Sequence, residues 1–131
     1  MKIVWKLYED DGVTADDPLG SISITGDDGN VITQEATYLD SWFEALLSGV
    51  GAIRAGEEQT IEMVEEPDPL ELEMTGARLS LTHDATTVLV DPLEAIEEIQ
   101  RQASRFLVLM QTLENWESNP TLVEIERYLS V

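Results

Sequence analysis

The sequence predicts an α+β fold: a mainly antiparallel sheet of about six to seven strands, two main amphipathic helices on one face and a short C-terminal helix. Three observations carry that expectation. Short apolar alternations of period two recur as far as Val90, separated by turn residues. Two segments, one from Thr37 and one from Asp91, place apolar residues at helical spacing. A last apolar cluster follows Asn119 and Pro120. The chain of 131 residues is long enough to bury one core without staples. It shows no internal repeat or linker, so residues 1–131 read as a single domain.

The first strand runs from Lys2 to Glu9, with Ile3, Trp5 and Leu7 on one face. A polar loop, Asp10 to Pro18, leads to a second strand, Gly20 to Thr25, with Ile22 and Ile24 inward. Gly26 to Asn30 is a turn signal, and Val31 to Thr33 returns as the partner strand. Thr37, with Asp40 three residues on, has the spacing of a capping box and starts the first helix. Its stripe is Leu39, Trp42, Phe43, Leu46, Leu47, Val50 and Ile53, and Gly56 supplies the stop.

The middle of the chain reads as a meander. Gln59, Ile61 and Met63 alternate, Pro67 and Pro69 interrupt, and Leu70, Leu72 and Met74 alternate again. Leu79 and Leu81 follow the Gly76 turn, and Thr87 to Val90 is the last strand. Asp91 and Pro92 are a helix N-cap and first helical residue. The helix they open carries a stripe from Leu93 through Ile96, Ile99, Ala103, Phe106, Leu107, Met110 and Leu113, to about Trp116. Asn119 and Pro120 open the terminal helix, whose apolar residues dock on the core or on another subunit.

Twenty-seven Asp and Glu against seven Lys and Arg give a formal charge of −20. Nucleic acid and anionic membrane both demand a positive surface, so neither is an expected partner. No apolar stretch has the length of a membrane span, and Met1 to Tyr8 has no apolar region of signal-peptide length. A cytoplasmic protein is the expectation. Glu outnumbers Asp by 17 to 10, which argues against a purely high-salt origin of the charge. There is no cysteine, hence no disulfide framework, thiolate site or redox motif.

No motif identifies a catalytic or cofactor site. His83 is the lone histidine, so a metal cage built on several histidines is excluded. Gly49, Val50 and Gly51 end a helix and do not form a phosphate-binding loop. The Asp10, Asp11, Asp16 and Asp17 loop and the Asp27 to Asn30 turn lack the ligand spacing of a calcium loop. No catalytic residue, cofactor or metal ligand is assigned.

Between Ala55 and Ala77 lie eight acids and no base. If Ile61 and Met63 oppose Leu72 and Leu70, Glu62 faces Glu71, a like-charge pair that costs stability. Such a face either presents itself to a basic partner or discourages edge pairing. The residues assigned to a partner are Glu58, Glu62, Glu65, Glu66, Glu71 and Glu73. The leading expectation is therefore a non-enzymatic acidic binding protein, an inhibitor or immunity-type protein covering a basic protein partner. A structural or adaptor subunit whose acidity serves solubility is the first alternative. A carboxylate-dependent small enzyme is the second. A monomer and a homodimer are both open.

Overall fold

The computed structural model describes residues 1–9 and 12–130. The loop acids Asp10 and Asp11, and Val131 at the end, lie outside the described residues. The element order is β1 (Lys2–Leu7), β2 (Leu19–Thr25), β3 (Val31–Tyr38), α1 (Leu39–Ala55), β4 (Gln59–Ile61), β5 (Leu70–Thr75), β6 (Arg78–His83), β7 (Thr86–Val90), α2 (Pro92–Met110) and α3 (Pro120–Leu129). The fold is α+β, as the sequence predicts. Its seven strands divide into two antiparallel sheets, β1-β2-β3 and β4-β5-β6-β7.

The division follows from α1. Ten of its seventeen residues are buried, which leaves almost no solvent face. Such a helix needs apolar neighbours on more than one side, and α1 touches β2 as well as β4 and β5. Trp42, Phe43 and Leu46 are wholly buried. Phe43 stacks on Phe106 of α2 at 4.9 Å, and Trp5 of β1 meets both edge-on at 6.0 and 5.6 Å. Leu122 and Ile125 of α3 are fully buried too. α3 packs against α1 and α2, so the terminal helix completes the core.

Several element boundaries differ from the expectation. Thr37 does not start α1. It is the penultimate residue of β3, and the N-cap position falls on Tyr38, which makes no side-chain cap. The Thr37 hydroxyl is engaged elsewhere, as described below. The second helix stops at Met110, not near Trp116, and Asn115 turns left-handed (φ 58°) before a short 3₁₀ turn at Trp116–Ser118. Leu93, expected in its buried stripe, is 73 % exposed. The Asp91 and Asn119 caps hold: each side chain accepts a backbone N–H, from Glu94 and Thr121 respectively, with Pro next in line. Gly56 also ends α1 as expected, in the left-handed conformation (φ 68°).

The two sheets are joined at the β2–β3 turn. Asp27 donates its N–H to Leu89 O of β7 at 2.8 Å. Its carboxylate accepts from Arg78 at 2.8 Å, from the Asp91 N–H at 3.1 Å and from the Met1 ammonium at 3.0 Å. The ammonium hydrogen bond first, then its charge and the other donors, hold the Asp27 carboxyl below its ordinary range against a smaller opposing effect of burial.

Two glycines give a test of this packing. A Cβ on Gly20 would run into the Lys6 carbonyl oxygen and lie 2.8 Å from Leu39 Cδ1, whereas one on Gly51 meets nothing within 4 Å. Gly20→Ala is expected to destabilise the fold by about 1–3 kcal/mol. Gly51→Ala, in the middle of α1, is expected to stabilise it by about 0.5–1 kcal/mol. Urea unfolding of both variants checks the pair, and equal effects would contradict the packing.

Candidate functional site

The register of the second sheet rearranges the acids of the meander. Gln59 pairs with Leu72, Thr60 with Glu71 and Ile61 with Leu70. Glu62 therefore does not oppose Glu71, and the like-charge pair expected from sequence is absent. Glu71 lies between Thr60 and Thr82, and Glu73 lies beside Ser80. Of the six residues assigned to a partner, only these two share the outer face of the sheet. Hydroxyl neighbours, not carboxylates, surround them. Glu58 is exposed just before β4.

The remaining three belong to the β4–β5 loop, which Met63 pins by burying its side chain (6 % exposed). Glu65 adopts a positive φ of 67°, and this reversal splits its neighbours. Val64 stands out at 68 % exposure, while Glu66 turns inward with its side chain 8 % exposed. There Glu66 Oε2 accepts from the Thr37 hydroxyl at 3.1 Å, and that hydroxyl accepts from Trp42 Nε1 at 2.9 Å. Glu66 Oε1 lies 3.6 Å from His83 Nε2, and the His83 ring meets Trp42 edge-on at 4.8 Å. This network is sealed: His83 is 3 % exposed. Glu66 is accordingly a structural residue, not a surface one.

Around the exposed Val64 lie two adjoining hollows that share Ser41, Val64 and Thr121. One, of about 90 Å³, is bordered by Glu44, Glu62 and Tyr128. The other, of about 240 Å³, is bordered by Asp16, Asp17, Tyr38, Asp40 and Glu65. Six carboxylates thus line these hollows from three separate segments, and no Lys or Arg lines either hollow among the described residues. Glu62 and Glu65 were legible as candidates. Asp16, Asp17, Asp40 and Glu44 were not, because each belongs to a helix start or loop where acids are ordinary. The one usable signal was an acid pair, Asp40 and Glu44, on an otherwise apolar helix.

Two of these carboxyls are perturbed. Burial pushes Asp40 up, Asp17 adds to the rise, and hydrogen bonds from Asn119 Nδ2 (3.0 Å) and the Ser41 N–H (3.0 Å) oppose it. Burial also raises Glu44, helped by Glu124 and Asp40. The cleft therefore holds two carboxyls that bind protons more tightly than free carboxylates do, chiefly because burial disfavours their charged forms. Among the described residues no group of three or more His, Asp or Glu is placed to hold a metal ion, and no helix is long and apolar enough to cross a membrane. No family model, curated protein or solved structure matches this chain.

The Asp40 shift fixes a sign. Its folded pKa lies above the ordinary 3.8, so its contribution to stability is fully present below that value and is lost as pH rises through the raised one. Asp40→Asn removes the titration. The stability of the natural protein relative to this variant is expected to fall as pH climbs through that window and then level off. Urea unfolding across the acidic range measures it. A difference that grows with pH would mean that the Asn119 and Ser41 hydrogen bonds outweigh burial.

Proposed function

We propose that this chain is a non-enzymatic acidic binding protein that acts in the cytoplasm and covers a basic surface of a protein partner, as an inhibitor or immunity-type protein does. The observation that supports this reading is the convergence of Asp16, Asp17, Asp40, Glu44, Glu62 and Glu65 around one exposed apolar side chain, Val64. An apolar anchor inside a charged rim is the composition of a binding hot spot. The rim steers a cationic partner toward the cleft, and a Lys or Arg entering beside Asp40 offsets the cost of burial that chiefly raises its pKa, together with the smaller repulsion from Asp17. The site of contact in this proposal is the α1–α3–loop cleft and not the outer face that carries Glu71 and Glu73.

The raised pKa values of Asp40 and Glu44 also suit carboxylate acid–base chemistry. One observation favours binding over that alternative. Both Asp40 oxygens already accept hydrogen bonds, from Ser41 and Asn119.

A lysine- and arginine-rich probe peptide tests the assignment by NMR titration. Amide shifts are expected at Ser41, Glu44, Val64 and Thr121. The triple change Asp17→Asn, Glu62→Gln and Glu65→Gln is expected to weaken binding on the order of tenfold at low salt, with the difference shrinking as salt rises. Glu71→Gln with Glu73→Gln is expected to leave it nearly unchanged. Shifts centred on the β5 face, or an affinity indifferent to salt, would remove the cleft from the proposal.

A further inference from the structure

A larger concavity than either of these hollows lies elsewhere, along the β1–α2 seam, with a volume of about 730 Å³. β1 is an edge strand. The Tyr8 N–H donates inward to Leu19 O, so the alternation of an antiparallel ladder turns the backbone groups of Ile3 and Trp5 outward, toward the groove. Glu98 Oε2 accepts from the Ile3 N–H at 2.9 Å. The Trp5 N–H and the carbonyls of Ile3 and Trp5 have no such partner among the described residues.

Strand and helix run side by side in register. Ile3 bonds to Glu98, and the Trp5 indole N–H donates to Gln102 Oε1 at 3.1 Å. Two residues of strand advance about 6.6 Å and four residues of helix about 6 Å, so the two elements keep pace. The groove between them consequently has a fixed floor. Glu98 and Gln102 are 6 % and 7 % exposed. Glu98 Oε1 lies 3.0 Å from Arg101 Nη1, yet at an angle that leaves it without a hydrogen bond.

The walls are polarised. Lys2, Arg101 and Arg105, three of only seven Lys and Arg in the chain, line this one groove. By the register above, Glu94 and Glu97 lie at the end beside Met1 and Lys2, and Arg101 and Arg105 lie further along α2, so the separation of charge belongs to the α2 wall. Glu97 and Arg105 are eight residues apart, about 12 Å along the helix axis. An extended chain covers that distance in about four residues at ~3.3 Å each. Four is an even number, so both side chains of such a ligand point to the same side.

We propose that the β1–α2 groove binds an extended segment of another polypeptide. The segment adds as a strand against the free edge at Trp5, with a basic residue toward Glu94 and Glu97. An acidic residue four positions away sits toward Arg101 and Arg105. Main-chain hydrogen bonds to the Ile3 and Trp5 edge groups supply affinity, and the charge pair sets specificity. Glu98 already fills the acceptor place at Ile3, so pairing is confined to the Ile3 carbonyl and the Trp5 edge. This site is separate from the acidic cleft and does not depend on it.

The probe is a blocked heptapeptide, Thr-Lys-Val-Thr-Val-Glu-Thr, with Lys and Glu four apart. At saturation the Trp5 amide is expected to exchange its hydrogen on the order of tenfold more slowly, with shifts along Lys2 to Trp5 and Glu97 to Arg105. A version with Gln at both charged positions is expected to bind about tenfold more weakly. The charge reversal Arg105→Glu, at an exposed position, is expected to make the protein prefer a version carrying Lys at both sites. Unchanged Trp5 exchange, equal binding of the Gln version, or an unaltered preference in Arg105→Glu would each overturn the proposal. So would shifts confined to Ser41, Val64 and Thr121, which would show the acidic cleft reading the lysine alone.

Discussion

The two sheets of this protein share one helix, and the hydrogen-bonded path from Trp42 through Thr37 to Glu66, with His83 beside it, ties all three bodies together. Thr37 belongs to the first sheet, Trp42 to α1, Glu66 to the β4–β5 loop of the second sheet, and His83 to β6. A buried hydroxyl, indole N–H or carboxylate without a partner costs more than the hydrogen bond returns. The path satisfies three such groups in one arrangement, and only His83 Nε2 beside it is buried in that network without a hydrogen bond among the described residues. Apolar contact alone would let α1 slide between the sheets, since leucine and isoleucine packing tolerates many similar fits. The loop bearing Val64 is placed by this registration, held by Glu66 beneath it.

Net charge describes this molecule poorly, because the charge is sorted in space. Carboxylates from three segments gather near α1 and α3, while Lys2, Arg101 and Arg105 gather along β1 and α2. The outer face of the second sheet, where acids are densest in the sequence, is lined largely with threonine and serine beside its two glutamates. The perturbed carboxyls lie where burial and crowding coincide, not where acidic residues are most numerous along the chain.

Local chemistry was legible in the sequence and long-range chemistry was not. The Asp91–Pro92 and Asn119–Pro120 starts, and the Gly56 stop, rest on groups within three residues of one another. The Thr37 boundary failed because the hydroxyl that looked like a cap is claimed by Trp42 and Glu66, partners that only folding brings near. The pairing of β4 with β5 failed for a different reason. Apolar alternation has period two, so a slip of two residues leaves every side chain on its proper face. The loop from Glu62 to Pro69 is too long to pin the register, and Glu62 landed outside the ladder. The cleft shared by α1, α3 and the β4–β5 loop combines residues around positions 16, 40 and 62, distances over which neither spacing nor periodicity speaks.

Asn119 carries a consequence for how the chain reaches this state. Its side chain caps α3 through Thr121, donates to Ala15 O at 2.8 Å and donates to Asp40 Oδ2 at 3.0 Å. One amide therefore closes a loop of 104 residues between the Ala15 segment and the last helix. The entropy of that closure grows only slowly with length, yet it is met before the long-range contacts return anything. Docking of the terminal helix is thus one of the long-range closures of the fold, beside the Ile3–Glu98 and Trp5–Gln102 contacts. The N-terminal loop and the final ten-residue helix set together, with Asp40 as the surface on which they meet.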